Sequence, residues 1–223
     1  TRIRRAKKPL KLGQTLHLYF NEQTLKAPVT PAKLIADEID YSVWYKPCGM
    51  FSQGSKWGDH SSICRWVETV GFENRPTFLV HRLDRATQGL IIVAHTKKAT
   101  QLLTKLFETR QIDKHYKAEV SGQFPATLVN EIISEPVNDK PAKTKVLSCK
   151  FDEEQNISHL KLKLETGRKH QIRRHLASKG FPIIGDRLYG EAENQESLPD
   201  LKLISCYLAF DCPITRKHRR YFC

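Results

Sequence analysis

Apolar residues recur at two periods along this chain, and the change of period marks out its elements. Leu16, Leu18 and Phe20 alternate with Thr15, His17 and Tyr19 after a glycine turn at Gly13, which predicts a short strand too small to hold a core alone. Residues 21–35, with Pro28 and Pro31, have the composition of a linker. Tyr41, Val43 and Tyr45 then recur every second residue, as in a half-buried strand, and Pro47 and Gly49 turn the chain. Ile63, Trp66, Val67 and Val70 follow i, i+3, i+4, i+7. Ser61 or Ser62 is placed to cap that helix and Gly71 to close it. Phe78–Val80 and Leu90–Ala94 are apolar runs either side of an arginine-rich turn, so they read as strand, loop, strand. Thr96 is placed to cap a helix carrying Ala99, Leu102, Leu103, Leu106 and Phe107 on one face. Tyr116, Ala118 and Val120 predict another strand, and Leu160, Leu162 and Leu164 against Lys161 and Lys163 one more. Gly167 breaks the pattern, and residues 169–179 read as helix up to Gly180. Strands outnumber helices, no repeat is visible and no regular βαβ alternation runs through the chain. The expected class is α+β, with a mixed, largely antiparallel sheet flanked by helices and loops.

Composition narrows the function classes. The chain has 223 residues, 39% of them hydrophobic, which is ordinary for a globular core and too much for a disordered chain. No apolar run approaches the roughly 18–20 residues of a bilayer span, and the basic start lacks the apolar stretch of a signal peptide. A cytoplasmic protein is the expectation. The 37 Lys and Arg exceed the 24 Asp and Glu, a formal charge of +13. Such a surplus attracts polyanions by counterion release and steering. Much of it is concentrated in a basic arm, Arg2, Arg4, Arg5, Lys7, Lys8 and Lys11. The six cysteines form no CxxC pair and keep no zinc-finger spacing to histidines, so no metal is expected and reduced thiols are the simplest account.

Three segments carry candidate chemistry. In HRLDRATQG, His81 to Gly89, strand-like alternation puts Arg82 and Asp84 on one side and His81 and Leu83 on the other. Asp84 is then a carboxylate among arginines, and close positive charge lowers a carboxylate by roughly 1–3 pKa units. A structural salt bridge capping a turn is the plain alternative. In TGRKHQIRRH, Thr166 to His175, the cations Arg168, Lys169, Arg173 and Arg174 crowd a strand-to-helix junction, and His170 shares a face with Arg173. This is either a phosphate grip or a solvated helix face. His170 and His175 are five apart, which does not fit a helical metal pair. In KHYKAEVSG, Lys114 to Gly122, Tyr116 is either a core tyrosine or a ring on which a base stacks. The spacing does not choose.

Taken in order, these motifs resemble the RluA-type pseudouridine synthase family over about residues 39–212. Tyr45-Lys46-Pro47 with Gly49 is similar to its "NKPxG" segment, with Tyr for Asn. His81 to Gly89 is similar to "HRLDxxTSG", with Gln88 for Ser. Tyr116 falls in "YxAxVxG", Lys140 to Thr144 resembles "GKxAxT" with Asp139 for Gly, and TGRKHQIR matches nearly letter for letter. Gly185-Asp186 with Tyr189-Gly190 resembles "GDxxYG". The N-terminal segment resembles the closing part of an S4-like RNA-binding domain. The implied organisation is an S4-like remnant at 1–25, a linker at 26–38 and a catalytic domain at 39–223.

The resemblance implies an isomerase that turns uridine into pseudouridine in structured ribosomal or transfer RNA, as a monomer, with no cofactor and no metal. It implies that Asp84 is the essential carboxylate and that Arg173 pairs with it. Tyr116 would stack on the uracil and assist removal of the C5 proton. Base flipping is implied too, at a few kcal/mol. Arg82 would fill the vacated space, and His81, Lys143, Arg168, Lys169, His170 and Gln171 would contact RNA. A catalytically inactive RNA-binding protein of the same fold is the alternative. A metal-dependent nuclease would need clustered acids or histidines, which the sequence does not offer.

Overall fold

The computed structural model describes residues 9, 11–15, 17, 22, 28–54, 60–72, 75–190 and 199–223. The basic arm, the alternating stretch at 16–20 and the S4-like segment fall largely outside the described residues.

The elements are β1 (Lys33–Asp37), β2 (Tyr41–Lys46), α1 (Ile63–Trp66), β3 (Phe78–Leu79), β4 (Gln88–Ala94), α2 (Lys97–Glu108), β5 (Asp113–Ser121), β6 (Ile132–Ile133), β7 (Thr144–Asp152), β8 (Ile157–Leu164), α3 (Gln171–Ser178), β9 (Leu203–Asp211) and β10 (His218–Phe222). They build one ten-stranded sheet in the order β1-β2-β4-β9-β5-β8-β7-β6, with β3 paired to β4 and β10 to β9. The strands pair antiparallel except β4 with β9, where Gln88 and Gly89 run parallel to Ile204 and Ser205. The expected α+β class with a mixed, mostly antiparallel sheet is what the chain forms.

Two apolar layers explain the burial pattern. On one face Tyr41, Val43, Leu90, Ile92, Leu208 and Phe210 pack under Ala99, Leu103 and Leu106 of α2. Thr96 caps that helix by accepting from the Ala99 N–H at 3.1 Å, a contact whose loss typically costs about 1 kcal/mol. On the other face Trp44, Ile91, Val93, Tyr116, Ala118, Val120, Leu160 and Leu162 meet Ile63 and Val67, and Ile172 and Leu176 of α3. Each Val, Leu, Ile or Phe among them contributes roughly 1.5–3 kcal/mol when fully buried. Strands β2 and β4 are therefore covered on both faces. Strand β8 buries only alternate residues and leaves Lys161 exposed.

Four expectations change in detail. The helix after Ser62 begins as α1, with Ser62 accepting from the Arg65 N–H, and continues as a π-helical turn, Val67–Gly71. Gly71 does not end it as a flexible cap. A Cβ there would lie 2.4 Å from the Trp44 ring, so glycine makes room for the tryptophan. The stretch 26–38 is not a linker throughout, because Lys33–Asp37 forms the edge strand β1 on β2, with a bulge between Leu34 and Ala36. Its side chains are mostly exposed and leave no apolar alternation to read. Strands β9 and β10 add to the expected elements, and β9 lies between β4 and β5.

Candidate active site

Asp84 lies in the loop between β3 and β4, and an earlier loop clamps that loop from below. Ser52 Oγ accepts from the Leu83 N–H at 2.9 Å and donates to the Leu83 carbonyl at 2.7 Å. Lys46 Nζ donates to the carbonyls of Pro47, Met50 and Arg85, so its three N–H groups tie its own loop to the Asp84 loop. Burial pulls Lys46 down to about 8, and the nearby Asp84 charge opposes that fall. Leu83 is buried between these contacts. The Thr87 N–H closes the turn on the Asp84 carbonyl at 3.1 Å. The backbone of Asp84 is thus fixed while its carboxylate, 30% exposed, looks into a cleft.

Strand pairing brings Tyr116 to the same cleft. Gly89 faces Ser205, and Ser205 faces Tyr116, in adjacent strands β4, β9 and β5. Gly89 has φ +105°, and a Cβ on it would sit 2.2 Å from the Ser205 carbonyl oxygen, so no larger residue fits. Tyr116 is 7% exposed and belongs to the core. Burial pushes its phenol up to about 12, with the Ser205 hydroxyl working against the rise and the Asp84 charge adding to it. Tyr116 packs in the core, as the plainer reading expects, and it also lines the cleft.

The N-terminal turn of α3 forms the opposite wall. Its first flanking residue, His170, has φ 57°, which turns the chain sharply into the helix. Tyr189 OH takes a hydrogen bond from Arg174 Nε at 2.9 Å and lies 2.9 Å from His170 Nδ1. When the Tyr189 hydroxyl donates to Nδ1, the ring proton sits on Nε2, which lies 3.8 Å from Asp84 Oδ1. Burial lowers the His170 pKa, Asp84 opposes, and Arg173 and Lys169 lower it further, so the imidazole is held toward its neutral form.

Arg173 does not pair with Asp84. Its Nε and Nη2 bind the two oxygens of Asp186 at 2.7 and 2.6 Å, in a pair whose side chains are 6% and 0% exposed. Asp84 acts on Arg173 only through space. Arg82 is exposed at the cleft, and Arg85 turns away to lie over the Phe51 ring at 4.7 Å and donate to the Gly49 carbonyl. The carboxylate expected among arginines instead has His170 as its nearest ion-pairing neighbour, with Arg82 and Arg173 in the same cleft.

The cleft, about 780 Å³, brings together Arg82, Asp84, Tyr116, Arg168, Lys169, His170 and Arg173. Two expected RNA contacts serve the fold instead, and a third lies away from the cleft. Gln171 is buried, accepts from Thr166 Oγ1 and the Arg168 N–H, and donates to the Lys143 carbonyl and Thr144 Oγ1. All its polar capacity is spent inside, which clasps the helix to β7. His81 accepts from the Ile92 N–H at 2.9 Å and stacks on Phe107 at 4.2 Å, although it borders the cleft. Lys143 is exposed and stands outside the cleft lining. Among the described residues no group of three or more His, Cys, Asp or Glu converges as a metal site, and the described cysteines are free thiols. No described helix is long and apolar enough to cross a membrane.

Residues 40–178 match the family described as RNA pseudouridylate synthase. The chain belongs to that family. It is 37% identical to the dual-specificity RNA pseudouridine synthase RluA of Escherichia coli (strain K12), over 79% of this chain and 85% of that one. It is 30% identical to an uncharacterized RNA pseudouridine synthase of Aquifex aeolicus (strain VF5), over 84% of this chain and 66% of that relative, so it spans just under two thirds of its length. The solved human RNA pseudouridylate synthase domain containing 1 has the same fold, with TM-score 0.69 and 21% identity over 88% of this chain and 84% of that one.

Within this pseudouridylate synthase fold two of the three motif departures meet. Tyr45 OH donates to Gln88 Oε1 at 2.9 Å, joining β2 to the start of β4 directly after the Asp84 loop. The positioning roles of Ser52, Asp186 and Tyr189 were not assigned from the sequence. The motif containing Asp186 and Tyr189 was visible there, whereas nothing marked Ser52.

Proposed function

We propose that this chain isomerises uridine to pseudouridine in structured RNA, with Asp84 as the group that engages the reacting nucleotide. The observation that carries the reading is the Asp84 carboxylate itself. It is fixed by its backbone, bound by no arginine among the described residues, and open to a cleft it shares with Tyr116 and a cationic rim. The reaction breaks the bond from uracil N1 to ribose C1′, turns the base and joins C5 to C1′. It changes no oxidation state and moves no group to an acceptor, so the proposal includes neither cofactor nor metal. The carboxylate serves as nucleophile at C1′ or C6, or as base toward the ribose; each course starts from the same atom. Tyr116 supplies a ring face for the uracil. Its phenol stays protonated at neutral pH, so it takes the C5 proton only in concert with passing on its own. Arg82, Arg168 and Lys169 line the cleft as contacts for phosphate and for the gap left by the flipped base. The formal charge of +13 suits a polyanionic substrate.

Large-subunit ribosomal RNA or transfer RNA is the proposed substrate, in the cytoplasm, with the chain acting as a monomer. The test is tritium release from unmodified transcripts of both RNAs, labelled at uridine C5 and incubated with the full chain. Release with matching pseudouridine in the product supports the reading. RNA binding without release supports the inactive binding protein.

A further inference from the structure

Lys114 is a cation the account so far leaves unused. It precedes Tyr116 by two residues on β5, so both side chains point to the same face. Two residues along a strand span about 6.6–6.8 Å, so the lysine is rooted one same-face step from the ring proposed to carry the uracil. Lys114 lines the same cleft as Asp84 and Tyr116, and so does Arg110, at the turn that leaves α2.

Among the described residues neither cation has an ion-pair or hydrogen-bonding side-chain partner. Asp113, next in sequence, is committed to Lys163 at 2.8 Å and His115 at 3.3 Å. Glu108 lines the cleft too but forms no ion pair with either cation. Burial lowers the Lys114 pKa and Arg110 lowers it further, the signature of a partly desolvated charge beside a like charge. His81, beside Lys114, is pushed down to about 3 by burial and then by that lysine, so it stays neutral and offers no compensation. A half-buried cation next to another cation is unfavourable until an anion arrives.

We infer that Lys114 and Arg110 form a phosphate subsite, holding the RNA backbone beside the flipped uridine. This rests on the RNA reading proposed above and extends it to a wall of the cleft that reading does not use. A phosphodiester fits because it keeps its charge at every working pH and offers two oxygens to two separate cations. Held there, the backbone would fix how far the uracil enters toward Tyr116 and Asp84.

The experiment compares wild type, Lys114→Met, Lys114→Arg and Arg110→Met as full chains with matched unfolding midpoints. Affinity for unmodified ribosomal and transfer RNA transcripts is read across a salt series, with inorganic phosphate as a separate probe. Tritium release supplies kcat and KM. Lys114→Met should weaken binding about tenfold and flatten the log–log salt slope by about 0.7–0.9. Most of its loss in kcat/KM should lie in KM. Arg110→Met should flatten the slope similarly, and Lys114→Arg should restore it. Inorganic phosphate should compete weakly with wild type and less with Lys114→Met; equal competition would show that the lysine does not hold a phosphate group. An unchanged slope and KM in Lys114→Met, or no restoration by arginine, would overturn the inference. If wild type releases no tritium, the uridine reading fails, while the salt slopes still decide whether these cations hold RNA.

Discussion

Asp84 and Asp186 both approach the first turn of α3, yet they are bonded in opposite ways. Asp186 has no exposed side-chain surface and receives four donors: Arg173 Nε and Nη2, and the backbone N–H groups of Leu188 and Tyr189. Burial alone would raise its pKa, but the guanidinium and the amides outweigh burial and hold it below the usual carboxylate value. Asp84 has His170 at 3.8 Å as its ion-pairing neighbour, and its backbone, not its carboxylate, carries the structural bonds. A carboxylate saturated by fixed donors has no lone pair left for a substrate. One whose backbone is clamped but whose oxygens face a cleft does. The comparison assigns stability to Asp186 with Arg173 and leaves the Asp84 carboxylate available for the chemistry proposed above.

The largest expected effect on stability comes from Arg173. Arg173→Ala leaves the Asp186 charge buried and unpaired, which should destabilise the chain by about 3–5 kcal/mol in denaturant unfolding. Arg173→Lys should recover part of it, since charge returns without the fork. Severe loss of turnover with no loss of stability would instead tie Arg173 to Asp84 and break the comparison. Tyr116→Phe should bind RNA nearly as wild type but lose at least about a hundredfold in turnover, the usual scale for one positioned proton-transfer group. Full turnover would reduce Tyr116 to a stacking surface.

Acid sharpens the contrast. Because the folded Asp186 value is lowered, its contribution is complete above the unfolded value of about 3.9 and is lost as pH falls through the folded value. Asp186→Asn should therefore flatten the acid limb of the stability curve below about pH 4; a limb as steep as wild type would show that Asp186 is not held low. The smallest effect belongs to Tyr45 and Gln88. A double-mutant cycle with Tyr45→Phe and Gln88→Leu should give a coupling of about 0.5–1.5 kcal/mol, and additive single effects would mean the contact contributes nothing.

What was legible in the sequence follows from what each element buries. Tyr116–Val120 and Leu160–Leu164 bury one face and show it as period two. α2 shows its stripe and its cap. β9 buries most of both faces between β4 and β5, so no alternation marks it, and β1 sits at the edge with little burial. The site divides in the same manner. Asp84, Tyr116 and Arg173 stand out as residues in motifs, but a motif names no partner. That Arg173 reaches thirteen residues along the chain to Asp186, and that Gln171 turns inward to Thr166 and Thr144, depend on how α3 docks on β7. Ser52 is an ordinary serine until the early loop folds beneath Leu83.

The central claim is tested most directly by Asp84→Asn and Asp186→Asn side by side, measuring single-turnover tritium release at saturating enzyme with the unfolding free energy of the same preparations. Asp84→Asn should bind RNA, keep its stability within about 0.5 kcal/mol and release no tritium, whereas Asp186→Asn should lose stability first. Release near the wild-type rate from a folded Asp84→Asn chain would contradict the account.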